Sequence, residues 1–145
     1  MVAHNRRLDY ITLEIDSVQY ECQITNWKIN PPSNVGDKKF TFCPDGEYRE
    51  EVDPDDWTLD LAWLTDWRTG GLDRVLWAAG TTAPDTPLDF TLVNHPAVTG
   101  EAVSWVGQIY PRCPPAGGEA RATETTEMTF VGVGDIPAPT YPVVP

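Results

Sequence analysis

Trp57-Thr58-Leu59-Asp60-Leu61-Ala62-Trp63 alternates apolar with polar or small residues at every step. Successive side chains of a β-strand leave opposite faces of the sheet. One face of this stretch therefore carries Trp57, Leu59, Leu61 and Trp63, and the other Thr58, Asp60 and Ala62. It reads as a half-buried strand. The same period of two recurs on both sides. Upstream, Ile11, Leu13 and Ile15 share a face in Tyr10–Asp16, and Val18, Tyr20, Cys22 and Ile24 share one in Val18–Ile29. Asp16-Ser17 between them predicts a turn, and the two runs an antiparallel hairpin. Lys38–Cys43 predicts a short strand with Phe40 and Phe42 inward. Downstream, Leu88–Asn94, Ala102–Tyr110 and Arg121–Val131 predict three more strands, separated by the turn-forming clusters His95–Gly100 and Cys113–Gly118.

A single helix interrupts the pattern. Leu72, Val75, Leu76 and Ala79 have the spacing of one helical stripe, which predicts a helix over Gly71–Ala79. Thr69 is its expected N-cap and Gly80 its expected stop. Asp73 falls in the first turn, where the helix dipole favours a negative charge. No repeat of solenoid or propeller length is present. The sum is a mainly β chain, an antiparallel β-sandwich or barrel with one flanking α-helix. Residues 1–9 form an N-terminal arm and 10–134 the β domain. Residues 135–145 form an extended tail, which Pro137, Pro139, Pro142 and Pro145 bar from any central strand.

Charge narrows the function. The 145 residues suffice for one domain, and 22 acidic against 10 basic residues leave a net charge of −12. Such a surface repels phosphate backbones and anionic lipid, which argues against a genome-binding or membrane-surface protein. No apolar run is long enough to span a bilayer. The basic start, with Arg6 and Arg7, leads into alternating residues rather than the apolar stretch of a signal peptide. Cys22, Cys43 and Cys113 are odd in number and far apart, which predicts free thiols in a reducing compartment, held as small buried apolar groups.

Motifs for chemistry are missing. There is no Cys-x-x-Cys, and the two histidines, His4 and His95, are distant from each other. The acidic run Asp45–Asp56 lacks the ordered oxygen spacing and central glycine of a calcium loop, and reads as a solvated loop or strand edge. No Gly-x-Ser-x-Gly elbow, phosphate loop or His-paired cysteine occurs. Asp56 and Trp57, as strand neighbours, point to opposite faces and do not line one sugar cleft. The expectation is a protein that is not an enzyme and takes no metal or cofactor. Of six tryptophans, Trp57, Trp63 and Trp105 read as core. Trp27, Trp67 and Trp77 lie off the clear stripes and read as core or as interface anchors.

Asp53-Pro54-Asp55-Asp56-Trp57-Thr58-Leu59-Asp60-Leu61, followed by Leu64-Thr65-Asp66-Trp67, Gly71-Leu72 and Leu76-Trp77, resembles the major tail tube proteins of long-tailed, siphovirus-type phages that infect actinobacteria. Further similarity lies in Thr99–Trp105, Gly117–Glu119, the Thr-rich last strand and Pro139–Val143. The resemblance implies a tail-tube β-sandwich whose copies form hexameric rings stacked into a tube, with one sheet of each copy joining a continuous inner barrel. It implies as partners the chain itself, a tape-measure protein, a tail terminator and a distal tail protein. DNA would pass through without specific binding and no membrane would be involved. The location implied is the virion tail, assembled in the bacterial cytoplasm.

That resemblance gives the charged residues expected roles. Asp45, Glu47, Arg49, Glu50, Glu51, Asp53, Asp55 and Asp56 would form an inter-subunit or inter-ring loop. Arg6, Arg7, Lys38, Lys39 and Arg74 would supply basic contacts to the acidic region of a neighbour. Asp60, Glu124 and Glu127 are candidates for the lumen. Two other readings compete: a tail-completion or head-decoration protein of the same phages, and a monomeric carbohydrate-binding sandwich using Trp27, Trp67 and Trp77.

Overall fold

The structure, a computed structural model, describes residues 10–32, 36–51, 57–94 and 102–141. Nine strands and one helix follow one another among them: β1 (Ile11–Ile15), β2 (Val18–Gln19), β3 (Ile24–Asn30), β4 (Lys38–Phe40), β5 (Glu47–Arg49), β6 (Thr58–Leu64), α1 (Leu72–Thr82), β7 (Leu88–Asn94), β8 (Val103–Ile109) and β9 (Thr125–Val131). Every pairing is antiparallel. One sheet has the order β2-β1-β7-β8 and a second β3-β6-β9, while β4 and β5 form a separate two-stranded hairpin. The chain is mainly β, and these sheets do not close into a barrel.

Burial follows the opening alternation. Trp57, Leu59, Leu61 and Trp63 are all but inaccessible, and their partners in β9, Met128 and Phe130, face the same way. The other sheet answers with Leu13, Ile15, Phe90, Leu92 and Ile109, and α1 adds Leu72 and Leu76 to one common core. Trp57 meets Phe90 across the layers, with ring centroids 6.1 Å apart. Burying such side chains contributes about 1.5–3 kcal/mol each, so this single core is the main stabilising term.

The sheets are joined where β9 runs on into the edge of β8. Val131 O accepts from Tyr110 N, Gly132 pairs with Ile109, and Val133 N donates to Gln108 O. Gly132 is required there, because a Cβ would lie inside the Trp57 indole. The tail then follows β8, with Ile136 against the core and Thr140 exchanging two hydrogen bonds with Ser104, so it borders an edge strand.

Several local expectations are corrected. Val18–Ile29 is not one strand: the chain turns at Tyr20–Gln23 and passes from one sheet to the other, so only β2 completes the hairpin with β1. Phe40 and Phe42 do not point inward, because no layer covers the β4–β5 hairpin and both rings are exposed. The N-cap of α1 is Gly71, with no side-chain cap, while Thr69 accepts a hydrogen bond from Arg74. The helix runs through Gly80 to Thr82. Glycine at 80 permits the close approach of Cys113, whose backbone N would lie 2.8 Å from a Cβ. The three thiols are free, yet Cys22 and Cys43 are exposed and Cys113 is half-buried.

Candidate functional site

Because β6 buries its odd-numbered residues, its even-numbered ones stand on the outer face of the β3-β6-β9 sheet. The register sets Asp60 beside Thr129 on one side and Lys28 on the other, and Ala62 beside Glu127 and Asn26. Two of the lumen candidates, Asp60 and Glu127, therefore share one polar face. Asp60 is anchored: its Oδ1 accepts from Thr129 Oγ1 at 2.6 Å and its Oδ2 from Asn30 Nδ2 at 2.9 Å. Those bonds, first Thr129 and then Asn30, together with the nearby Lys28 charge, hold its carboxyl below the ordinary range. Glu127 is exposed beside it. Lys28 is the one basic side chain in these three strands. Glu124 does not join them: it precedes β9 and lines a separate hollow with Gly117, Gly118 and Glu119.

The outer edge of β9 is open. Gly132 N bonds to Trp57 O and Thr65 N to Glu124 O, which puts the even-numbered residues of β9 in its hydrogen-bonded pairs with β6. The backbone groups of Thr125, Glu127, Thr129 and Val131 consequently point away from the sheet. Val131 O is taken by Tyr110 N, and Thr129 O by Arg112 Nη1 at 3.4 Å. Those of Thr125 and Glu127 make no hydrogen bond among the described residues.

The acidic loop proves to be the far half of the hairpin. Asp45 occupies its tip with φ 60°, a left-handed conformation that aspartate tolerates. Glu47 pairs with Lys38 at 2.7 Å and Glu50 with Lys39 at 3.8 Å, while Arg49 donates to Gly36 O. Both lysines thus meet the acidic run of their own chain, through exposed pairs worth little and easily exchanged. Glu51 is exposed. Arg74 lies on α1, far along the chain from the hairpin. Arg6, Arg7, Asp53, Asp55 and Asp56 lie outside the described residues.

Sequence reasoning missed a buried polar knot under α1. Asp73 is fully inaccessible; its Oδ2 accepts from Trp63 Nε1 at 2.9 Å and Asp66 N at 2.7 Å, and its Oδ1 from Thr126 Oγ1 at 2.9 Å. Thr65 in turn hydrogen-bonds Thr126 at 2.8 Å. Beside it, three Arg68 nitrogens and Gln23 Nε2 converge on the Asp66 carboxylate, and the Arg68 bonds above all pull its carboxyl well below the usual range. The sequence signal was Asp73 next to Leu72 on the buried stripe.

The tryptophans divide into separate groups. Trp27 packs against Trp105 at 5.7 Å and faces the core, whereas Trp67 and Trp77 form an exposed edge-to-face pair at 6.0 Å. They do not make one flat platform. Among the described residues no three His, Cys, Asp or Glu side chains gather to hold a metal, and no helix is long and apolar enough to cross a membrane. Compared with models of known protein families and with curated proteins, the chain matches none.

Proposed function

We propose that the chain is a structural virion protein, the major tail tube subunit of a long-tailed phage, acting as many copies in stacked hexameric rings that conduct DNA. The observation that carries this reading is the polar outer face of the β3-β6-β9 sheet, where two carboxylates, Asp60 fixed by Thr129 and Asn30 and Glu127 beside it, outnumber the single Lys28. A hydrogen-bonded carboxylate stays ionised and ordered. Placed on the wall of a bore, it repels phosphate, so DNA slides without sticking. Screening confines that repulsion to about 8 Å at physiological salt, so the charge has to line the wall itself.

Two further features support assembly. The open edge of β9 offers backbone groups to a strand of a neighbouring copy, which would remove an edge that otherwise invites aggregation. The hairpin projects from the sandwich with all its strand residues exposed, as an arm that makes contacts outside its own chain. Tape-measure, terminator and distal tail proteins would then contact the bore and the two tube ends.

Negative-stain electron microscopy of the purified chain tests the reading. Tubes or six-fold rings are expected, while a concentrated protein that stays monomeric and binds polysaccharide refutes it. A double variant addresses the bore: Glu127→Lys with Asp60→Lys should leave a tube that retains DNA at low salt. Wild-type behaviour towards DNA in that variant would remove the face from the lumen.

A further inference from the structure

The β4–β5 hairpin and the flank of α1 carry matching unsatisfied surfaces. On the hairpin, Phe40 is 73% and Phe42 fully exposed, although phenylalanine is ordinarily buried. The lysines spend their charge on Glu47 and Glu50, which leaves Asp45 and Glu51 as acidic flanks. On the body, Trp67 and Trp77 are 37% and 47% exposed, and Cys113, Pro114 and Pro115 border a hollow beside Trp77 whose far side is the edge of β9 at Glu127. Two arginines without a carboxylate partner among the described residues flank this patch: Arg74 stands one turn before Trp77, and Arg112 lines the hollow. In a chain of net charge −12, Arg74 and Arg112 beside one exposed tryptophan pair mark a basic, aromatic spot on an acidic molecule, whereas the charge of Arg68 is spent on Asp66.

We propose that the hairpin of one copy docks on this patch of a neighbouring copy, Phe40 and Phe42 against Trp67 and Trp77, with Asp45 and Glu51 facing Arg74 and Arg112. This rests on the self-assembly proposed above and names its interface. The occupant is a second copy because the two surfaces complement each other in both terms, ring against ring and acid against base. Hairpin and patch are different surfaces, so the contact is head-to-tail, the kind that closes rings or propagates filaments.

Size sets how strong one contact is. Four aromatic side chains, scaled by their exposed fractions, bury about 500 Å², at roughly 200 Å² for a whole ring. A standard stable interface buries about 1,200–2,000 Å². A single docked hairpin is therefore weak and holds only when repeated around an assembly, which leaves dilute copies separate.

Two native thiols report the contact. Cys43 follows Phe42, and Cys113 Sγ lies 3.8 Å from Trp77 O. The Cys22→Ser chain, mixed with an isotope-labelled copy and treated with a short bismaleimide under assembling conditions, should give a ladder of oligomers. Its linked peptides should join Cys43 of one copy to Cys113 of another. Cys43→Ser and Cys113→Ser should each abolish the ladder. Phe42→Ser, at an exposed site that leaves the fold intact, should cut it about tenfold, the loss of roughly 1.4 kcal/mol per contact. Rings or tubes that form without a Cys43–Cys113 link between copies overturn this interface and leave the tube reading standing. A chain that never assembles overturns both.

Discussion

Asp73 is the residue on which the fit of α1 to the sheet turns, and its removal has a calculable cost. Asp73→Ala strands the Trp63 indole N–H, the Asp66 N–H and the Thr126 hydroxyl, all of which donate to it. Thr126 can rotate its hydrogen toward Thr65, 2.8 Å away, so two donors remain without an acceptor. A buried unsatisfied donor costs about 1–3 kcal/mol, which sums to about 4 kcal/mol here. At about 3 °C per kcal/mol for a chain this long, the melting temperature should fall by roughly 12 °C. Asp73→Asn should behave differently. Its carbonyl oxygen keeps the indole and Asp66 donors, and its amide donates to Thr126, which reverses its own hydrogen bond toward Thr65. The cost is about 1 kcal/mol, largely the charge lost near the helix N-terminus. Urea unfolding of dilute protein, followed by tryptophan fluorescence, measures both. Thr65→Val should cost about 1 kcal/mol more in the Asp73→Asn background than alone, because the reversed hydroxyl then has no acceptor. An alanine variant as stable as wild type, or an asparagine variant as damaged as the alanine one, refutes this account.

Three other outcomes follow from the same structure. Asp60 and Asp66 have carboxyls held below the ordinary value of 3.8, Asp60 chiefly by Thr129 and Asp66 chiefly by Arg68. A carboxyl whose folded pKa is depressed stabilises above its unfolded value, and that stability is lost as pH falls through the folded one. Melting curves from neutrality down to pH ~2 should thus show wild type and Asp60→Asn converging only below pH ~4; curves that stay parallel throughout contradict it. Gly132→Ala forces a Cβ into the Trp57 indole and should cost about 2 kcal/mol of overpacking, read by urea unfolding; unchanged stability would mean the β9–β8 corner is misplaced. In dissociated protein, maleimide should modify Cys22 and Cys43 faster than half-buried Cys113, and the opposite order would contradict the exposed hairpin.

Alternation identified β6 because its inner face and both of its edges are settled inside the chain, by a core below and a paired strand on each side. The same rule failed at Val18–Ile29. Period two fixes which face a residue takes, but it does not reveal that the chain changes sheets at Tyr20–Gln23, nor that the register shifts between Ile24 and Asn26 so that Trp27 and Ile29 turn to the core. Asp73 was legible as a first-turn acid and illegible as a buried acceptor, since its donors come from β6, β9 and the turn at Asp66, up to 53 residues away. That Asp60 and Glu127 share a face likewise required the Ala62–Glu127 register, which no local pattern contains. Phe40 and Phe42 differ in kind. Their alternation asks for a layer above them, and among the described residues the chain supplies none. A rule that assumes every apolar face is buried by its own chain must err where a second copy does the covering. The departure from expectation at these two rings and the proposed docking of the hairpin therefore rest on one observation, and the Cys43–Cys113 link tests both together.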